Sequence, residues 1–224
     1  MSHSSSSWLS LQSECCLRLS QLSSTRSRRI DMLVVLLGPS CSGKSTFQKE
    51  LVENEGYHAV RTATTRPKRV GEDLSSYYFL KDQSFAEWEV RGDLLCVETF
   101  RGWRYGVPRD EITRRGDRPN RVVILTPGGV MELLSRHPEV ITADALSILY
   151  LGVDGATGEA RACKRGDSRR EYLRRMAADS IDFRHFPREN GVWEFTPDYI
   201  LDCVNNPQNY KLKPRLKRVE RKHK

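Results

Sequence analysis

Apolar side chains fill the run Met32-Leu33-Val34-Val35-Leu36-Leu37 without a polar break. A strand with one wet face alternates apolar and polar residues, so this run predicts a strand buried on both faces, as in a parallel sheet. Directly downstream, Thr46-Phe47-Gln48-Lys49-Glu50-Leu51-Val52 changes to helical spacing. A short strand follows at 57–61 and another central strand at Arg121-Val122-Val123-Ile124-Leu125. After Thr126-Pro127-Gly128-Gly129 the spacing from Val130 to Leu134 predicts a helix, and Leu146 to Leu151 predicts a further buried strand. Residues 155–164 and 169–184 have helical composition and spacing, and Tyr199 to Val204 closes the set with a last strand. Strands alternating with helices predict an α/β fold of three layers around a mostly parallel central sheet. Residues 62–109 break the alternation: they are polar and aromatic, with helical spacing only from Phe85 to Val90, and they predict a lobe inserted beside the main sheet.

The turn between the first strand and the first helix carries the chemistry. It reads Gly38-Pro39-Ser40-Cys41-Ser42-Gly43-Lys44-Ser45-Thr46, a complete phosphate loop in the required strand, loop, helix order. Gly38 and Gly43 let the backbone aim successive N–H groups at phosphate oxygens, Lys44 supplies a point charge for the β- and γ-phosphates, and the Ser45 hydroxyl suits a bound Mg²⁺. The helix N-terminus that follows favours anions. The loop therefore predicts a nucleoside triphosphate with Mg²⁺ and leaves open whether the phosphoryl group goes to water or to an acceptor.

Composition narrows the partners. The chain has 224 residues, 38% hydrophobic and 29% charged, ordinary for one soluble α/β domain. No stretch approaches the ~18 consecutive apolar residues of a membrane span. Six scattered cysteines form no C-x-x-C pair and no zinc spacing with histidine, so a reducing, cytoplasmic setting is the simplest expectation. The net charge of +8 suggests nucleic acid until it is located: after Tyr210 eight basic residues oppose only Glu220, and residues 32–209 are left with a net charge of −1. A domain spanning 32–209 is thus nearly neutral, and any DNA contact is expected from the basic tail at 210–224. Residues 1–31 hold eleven serines, few acidic groups and no long apolar stretch. They predict a disordered leader, and Met32 at the start of the first strand is an alternative chain start.

On the acceptor side, Thr62-Ala63-Thr64-Thr65-Arg66-Pro67-Lys68-Arg69-Val70-Gly71-Glu72 places two arginines three apart in a turn shaped by Pro67 and Gly71, suited to clamping a phosphate. Tyr77-Tyr78-Phe79 and Gly102-Trp103-Arg104-Tyr105-Gly106 add phenolic hydroxyls. Together with the phosphate loop, these residues resemble the guanylate kinase family over roughly 32–205. The resemblance implies that Thr62, Arg66, Arg69, Tyr77 and Tyr105 hold the acceptor's monophosphate, with Tyr78 as the alternative to Tyr77 because the spacing from Glu72 is one residue short. It also implies a mobile lid, about 161–175, whose Arg161, Arg165 and Arg175 neutralise charge on the transferring phosphoryl group.

The family's guanine-reading positions are not matched. Counted from Tyr105, its glutamate falls on Cys96, its small hydroxyl residue on Val107 and its aspartate on Thr126; Glu98 becomes a base reader only if the frame shifts. The strand at 122–125 also lacks an acid for Mg²⁺, which then rests on Ser45, the phosphates and water. The expectation is an ATP-dependent kinase for a nucleoside monophosphate other than plain GMP. The alternatives are a kinase acting on the hydroxyl of 5-hydroxymethyluracil in DNA, and a non-catalytic scaffold of the guanylate-kinase-like type.

Overall fold

The computed structural model describes residues 32–69, 71–113, 120–137, 145–186, 190–195 and 217–218. Its main sheet has the strand order β10-β9-β8-β1-β7-β2, in which β1 is Leu33–Leu37, β2 His58–Ala59, β7 Arg121–Ile124, β8 Leu146–Gly152, β9 Gly191–Phe195 and β10 Lys217–Arg218. β1 pairs in parallel with both β7 and β8, and β2 in parallel with β7. β9 and β10 add an antiparallel edge.

The continuous apolar run of β1 sends side chains into two separate cores. Leu33, Val35 and Leu37 join one core with Val130 and Leu133 of α4 (Pro127–Arg136) and with Phe183 and Phe186. Val34 and Leu36 join the other with Phe47 and Leu51 of α1 (Lys44–Asn54). A two-sided strand is therefore held from both faces, and its C-terminal end projects the phosphate loop from the most rigid part of the molecule. Beyond β8, α5 (Gly155–Lys164) and α6 (Arg169–Asp182) form a hairpin turned by Gly166 at φ 86°. A Cβ on Gly158 would lie 2.4 Å from the Tyr172 hydroxyl, so glycine there lets the two helices approach.

Residues 62–108 form a second sheet of order β4-β3-β6-β5, built from β3 (Thr62–Thr64), β4 (Tyr77–Phe79), β5 (Leu94–Phe100) and β6 (Trp103–Pro108). Its small core is Ala63, Phe85 and Leu94, with Phe85 supplied by α2 (Asp82–Val90), and α3 (Arg109–Thr113) leads away from β6. The expected strand at 57–61 is divided in the structure: His58–Ala59 stays in the main sheet and Thr62–Thr64 crosses to the second one. β9 was not expected from the pattern; its Trp193 and Phe195 pack with Phe186 beside β8. The strand expected at 199–204, the leader at 1–31 and nearly all of the basic tail lie outside the described residues.

Candidate active site

A cleft of about 1190 Å³ opens where the phosphate loop, the second sheet and the α5–α6 hairpin meet. The loop has the left-handed dihedrals its glycines predict, with φ 142° at Gly38 and 100° at Gly43, and Cys41 at its crest is also left-handed, φ 63°. A Cβ on Gly38 would fall 2.4 Å from the Leu151 carbonyl oxygen, so only glycine lets β1 turn this close to β8. Lys44 curls back over the loop, where its ammonium donates to the Gly38 carbonyl at 2.6 Å and the Pro39 carbonyl at 2.8 Å. Burial of that ammonium pushes its pKa down to about 8, partly offset by Asp179. Ser45 and Thr46 stand exposed at the first turn of α1 and line the cleft. Among the described residues no cluster of histidine, cysteine, aspartate or glutamate suits a metal ion. The Ser45 hydroxyl at the first turn of α1 is the group that would hold a Mg²⁺ arriving with the triphosphate.

The expected acceptor residues converge on the opposite wall. Thr62, Arg66, Arg69, Tyr77 and Tyr105 all face the cleft. Arg66, 8% exposed, makes a two-pronged ion pair with Glu72 (2.7 and 3.0 Å), and the same carboxylate accepts the Arg69 backbone N–H at 2.9 Å. Glu72 therefore fixes both arginines in the turn. Arg69 itself is exposed; desolvation first, and then Arg66, Arg175 and Arg165, push its pKa down, as in a site that lacks an anion's worth of negative charge. The choice between the adjacent tyrosines is geometric. Tyr77 packs edge-on to Tyr105 and lies under the Arg66 guanidinium, whereas Tyr78 points away, donating to Glu111 at 2.8 Å and packing on Trp88. Burial raises the Tyr77 pKa, which keeps its hydroxyl a donor.

The hairpin arginines reach the phosphate loop from above. Arg161 donates to the Cys41 carbonyl at 3.1 Å and Arg165 to the Cys41 sulfur at 3.2 Å. Arg175 binds Asp167 at 3.1 and 3.2 Å, and Arg165 shares that carboxylate. Arg174 instead turns outward to Glu171, and Arg169 lies on the surface beside Glu159.

The positions that the family uses to read guanine lie along β5, β6 and the start of α4. Cys96 and Val107, aligned with reader positions, are buried in the floor at 4% and 1% exposure, and burial pushes the Cys96 thiol up to about 12. It is a neutral thiol at any physiological pH. β5 and β6 pair regularly from Phe100–Trp103 to Val97–Gly106, which sets Glu98 opposite Tyr105 on the cleft wall; the register shift lies beyond, between Leu94 and Val97. Its carboxylate accepts the Thr126 hydroxyl, and Thr126 in turn caps α4 by accepting the Gly129 N–H at 3.1 Å. A Cβ at Gly128 or Gly129 would sit 3.2 or 3.3 Å from the Glu98 oxygens, so the paired glycines make room for the carboxylate at the helix N-terminus. Burial raises the Glu98 pKa, countered by the Thr126 hydrogen bond. The cleft wall thus carries the Glu98 carboxylate, oriented by the Thr126 hydroxyl.

Sequence reasoning also missed Arg101 and Asp179. Asp179 of α6, 3% exposed, accepts the Ser40 backbone N–H at 2.7 Å and the Arg101 guanidinium at 2.8 Å. No local pattern links residues 78 positions apart; only the left-handed Arg101-Gly102 turn marked the position.

Comparison with known proteins agrees with this geometry. A family model described as guanylate kinase matches residues 31–131. A guanylate kinase of Nostoc sp. is 34% identical over 165 residues, covering 68% of this chain and 80% of the relative. One from Thermobifida fusca is 44% identical over 86 residues, 37% of this chain and 43% of the relative. The crystal structure of guanylate kinase from Anaplasma phagocytophilum superposes with a TM-score of 0.50 at 19% identity, over 69% of this chain and 71% of that one, which supports the fold. With its phosphate loop, its paired arginine turn and a relative matched over most of its length, the chain belongs to the guanylate kinase family and is an ATP-dependent nucleotide kinase that works with Mg²⁺.

Proposed function

We propose that the protein transfers the γ-phosphoryl group of ATP to GMP, yielding ADP and GDP. The observation that carries this reading is the Glu98 carboxylate, held by Thr126 on the base side of the cleft opposite the arginine turn. Guanine presents two adjacent N–H donors, N1–H and N2–H, and a carboxylate is acceptor-only, so the two edges match. Adenine presents an unprotonated N1 there and leaves the carboxylate unpaired, which a half-buried acid penalises. The relatives named guanylate kinases point the same way. They favour a free monophosphate over modified DNA, and they replace the expectation that the missing readers exclude plain GMP.

In this reading residues 62–109 are the acceptor lobe and 161–175 the lid. Arg66, Arg69, Tyr77 and Tyr105, with Thr62, hold the GMP phosphate so that one of its oxygens attacks the γ-phosphorus in line while the bond to the ADP oxygen breaks. The nucleophile is already an anionic oxygen, so no general base is required. Lys44 leaves its loop carbonyls to meet the phosphates, and Arg161, Arg165 and Arg175 offset the charge spread over the transferring group. Ser45 would hold Mg²⁺, which would supply positive charge to offset that of the triphosphate. Closure of the lid excludes water and suppresses hydrolysis. The test is steady-state nucleoside diphosphate formation with GMP, IMP, AMP, CMP and UMP. GMP is expected to exceed AMP in kcat/KM by at least about 10²-fold, with IMP between them because it lacks the N2 amino group. Equal use of AMP and GMP overturns the reading.

A further inference from the structure

The β5–β6 hairpin ends in Arg101-Gly102, both left-handed, with φ 54° and 81°. Glycine, asparagine or aspartate adopts such a two-residue turn easily, and arginine rarely does. The Arg101 side chain does not extend into water, as that of a surface hairpin tip does. It folds back over the Phe100 ring at 4.8 Å and ends on Asp179, with the same guanidinium nitrogen 3.1 Å from the Arg175 carbonyl and 3.4 Å from the Ser40 hydroxyl. Asp179 is almost wholly enclosed, and its second oxygen holds the Ser40 N–H of the phosphate loop. One carboxylate therefore joins three parts of the cleft: the tip of the acceptor hairpin, the entrance of the phosphate loop and the helix that carries Arg175. The second sheet also packs on α2, α3 and α4, and this ion pair links its hairpin tip to α6.

We propose that Arg101 and Asp179 are positioning residues that latch the acceptor hairpin over the phosphate loop, so that nucleotide binding on the two sides of the cleft is coupled. Glu98 lies three residues before Arg101 and Tyr105 four after it, so fixing the tip fixes both acceptor-side groups relative to the loop. A nucleotide in the phosphate loop holds Ser40 and Asp179 in place, and Asp179 then presents a preformed partner for Arg101. The second nucleotide meets a hairpin already in its closed position, and linkage makes the effect reciprocal. This proposal rests on GMP as the acceptor for its calorimetric and kinetic arms, and its hydrogen-exchange arm stands without it.

The experiment uses the full chain and the variants Arg101→Gln, Arg101→Lys, Asp179→Asn and Arg101→Gln/Asp179→Asn. Calorimetry measures GMP affinity with and without a non-hydrolysable ATP analogue, and initial rates give kcat and KM. The latch predicts that Arg101→Gln raises KM for GMP about tenfold and brings the factor by which the ATP analogue tightens GMP close to one. Arg101→Lys recovers part of that factor, and the double variant is no worse than the poorer single one. An unchanged KM and coupling factor in Arg101→Gln, or losses that multiply in the double variant, overturn the proposal. If wild-type protein does not accept GMP, the function reading fails and the latch is still decided by hydrogen exchange. Amides at 99–104 are protected in wild type and exchange at least about tenfold faster in Arg101→Gln and in Asp179→Asn. Equal exchange in all three overturns it, and should Asp179→Asn not fold, Arg101→Gln alone decides.

Discussion

Replacing Glu98 by glutamine isolates base recognition from every phosphate contact. The side chain keeps its length, and its amide oxygen still accepts the Thr126 hydroxyl, so the α4 cap and the fold are preserved. What changes is the edge offered to guanine, because one acceptor oxygen becomes an NH₂ donor facing an N–H donor. The loss is one charge-assisted hydrogen bond, about 1.5–3 kcal/mol, plus about 1–2 kcal/mol for a donor left opposed to a donor. Together these give about 2.5–5 kcal/mol, or roughly 10²- to 10⁴-fold in kcat/KM for GMP. Steady-state kinetics with GMP and AMP side by side is the assay, with melting temperature as a control for folding. The GMP to AMP preference is expected to collapse, because the new amide donates to adenine N1 where the carboxylate did not. A variant within twofold of wild type on GMP, with the same preference, refutes the assignment of Glu98.

Further expectations follow from the same geometry. Lys44 is depressed from 10.5 to about 8 in the folded protein, so its ammonium is lost as pH rises through about 8; ATP binding should then require proton uptake and KM for ATP should rise by up to about tenfold per pH unit above that point. Glu98 runs the other way: its raised pKa means that the carboxylate protonates above the usual carboxylate range, so GMP affinity should fall on acidification earlier than for an ordinary glutamate, and the Glu98→Gln variant should lack this limb. Gly38→Ala places a methyl 2.4 Å from the Leu151 carbonyl at a left-handed φ, a cost of about 2–5 kcal/mol. It should lower the melting temperature by roughly 5–15 °C and abolish the stabilisation that ATP gives wild type. Arg66→Lys keeps the charge but breaks the two-pronged contact with Glu72 and should raise KM for GMP about tenfold with a smaller change in KM for ATP.

Local features were readable from the chain, and features made by distant segments were not. β1, the phosphate loop and α1 follow from contiguous residues, and so do the arginine turn and the helices at 155–164 and 169–182. That His58–Ala59 joins one sheet and Thr62–Thr64 the other was not visible, since strands of two and three residues carry no signal for which neighbour each will pair with. Counted along the chain from Tyr105, the family's readers fall on Cys96, Val107 and Thr126, and such a count carries no sign that Glu98, opposite Tyr105 on the ladder, meets Thr126 at the cleft. Glu98 needs Thr126, 28 residues later, and Arg101 needs Asp179, 78 residues later; both contacts exist only once the sheets are assembled. At Tyr77 and Tyr78 the sequence left two candidates, and strand alternation decides between them by sending one hydroxyl to the cleft and the other to Glu111.

The central claim is that the two phosphate sites serve a kinase whose acceptor is GMP. Its most direct test is to incubate the purified full chain with γ-labelled ATP and Mg²⁺ in parallel with GMP, AMP and hydroxymethylated DNA, and to resolve the labelled products. The account predicts label in GDP, at a rate at least about 10²-fold above label in ADP formed from AMP and with none in DNA. Label in DNA with GMP untouched, or ATP binding without transfer to any acceptor, would contradict it.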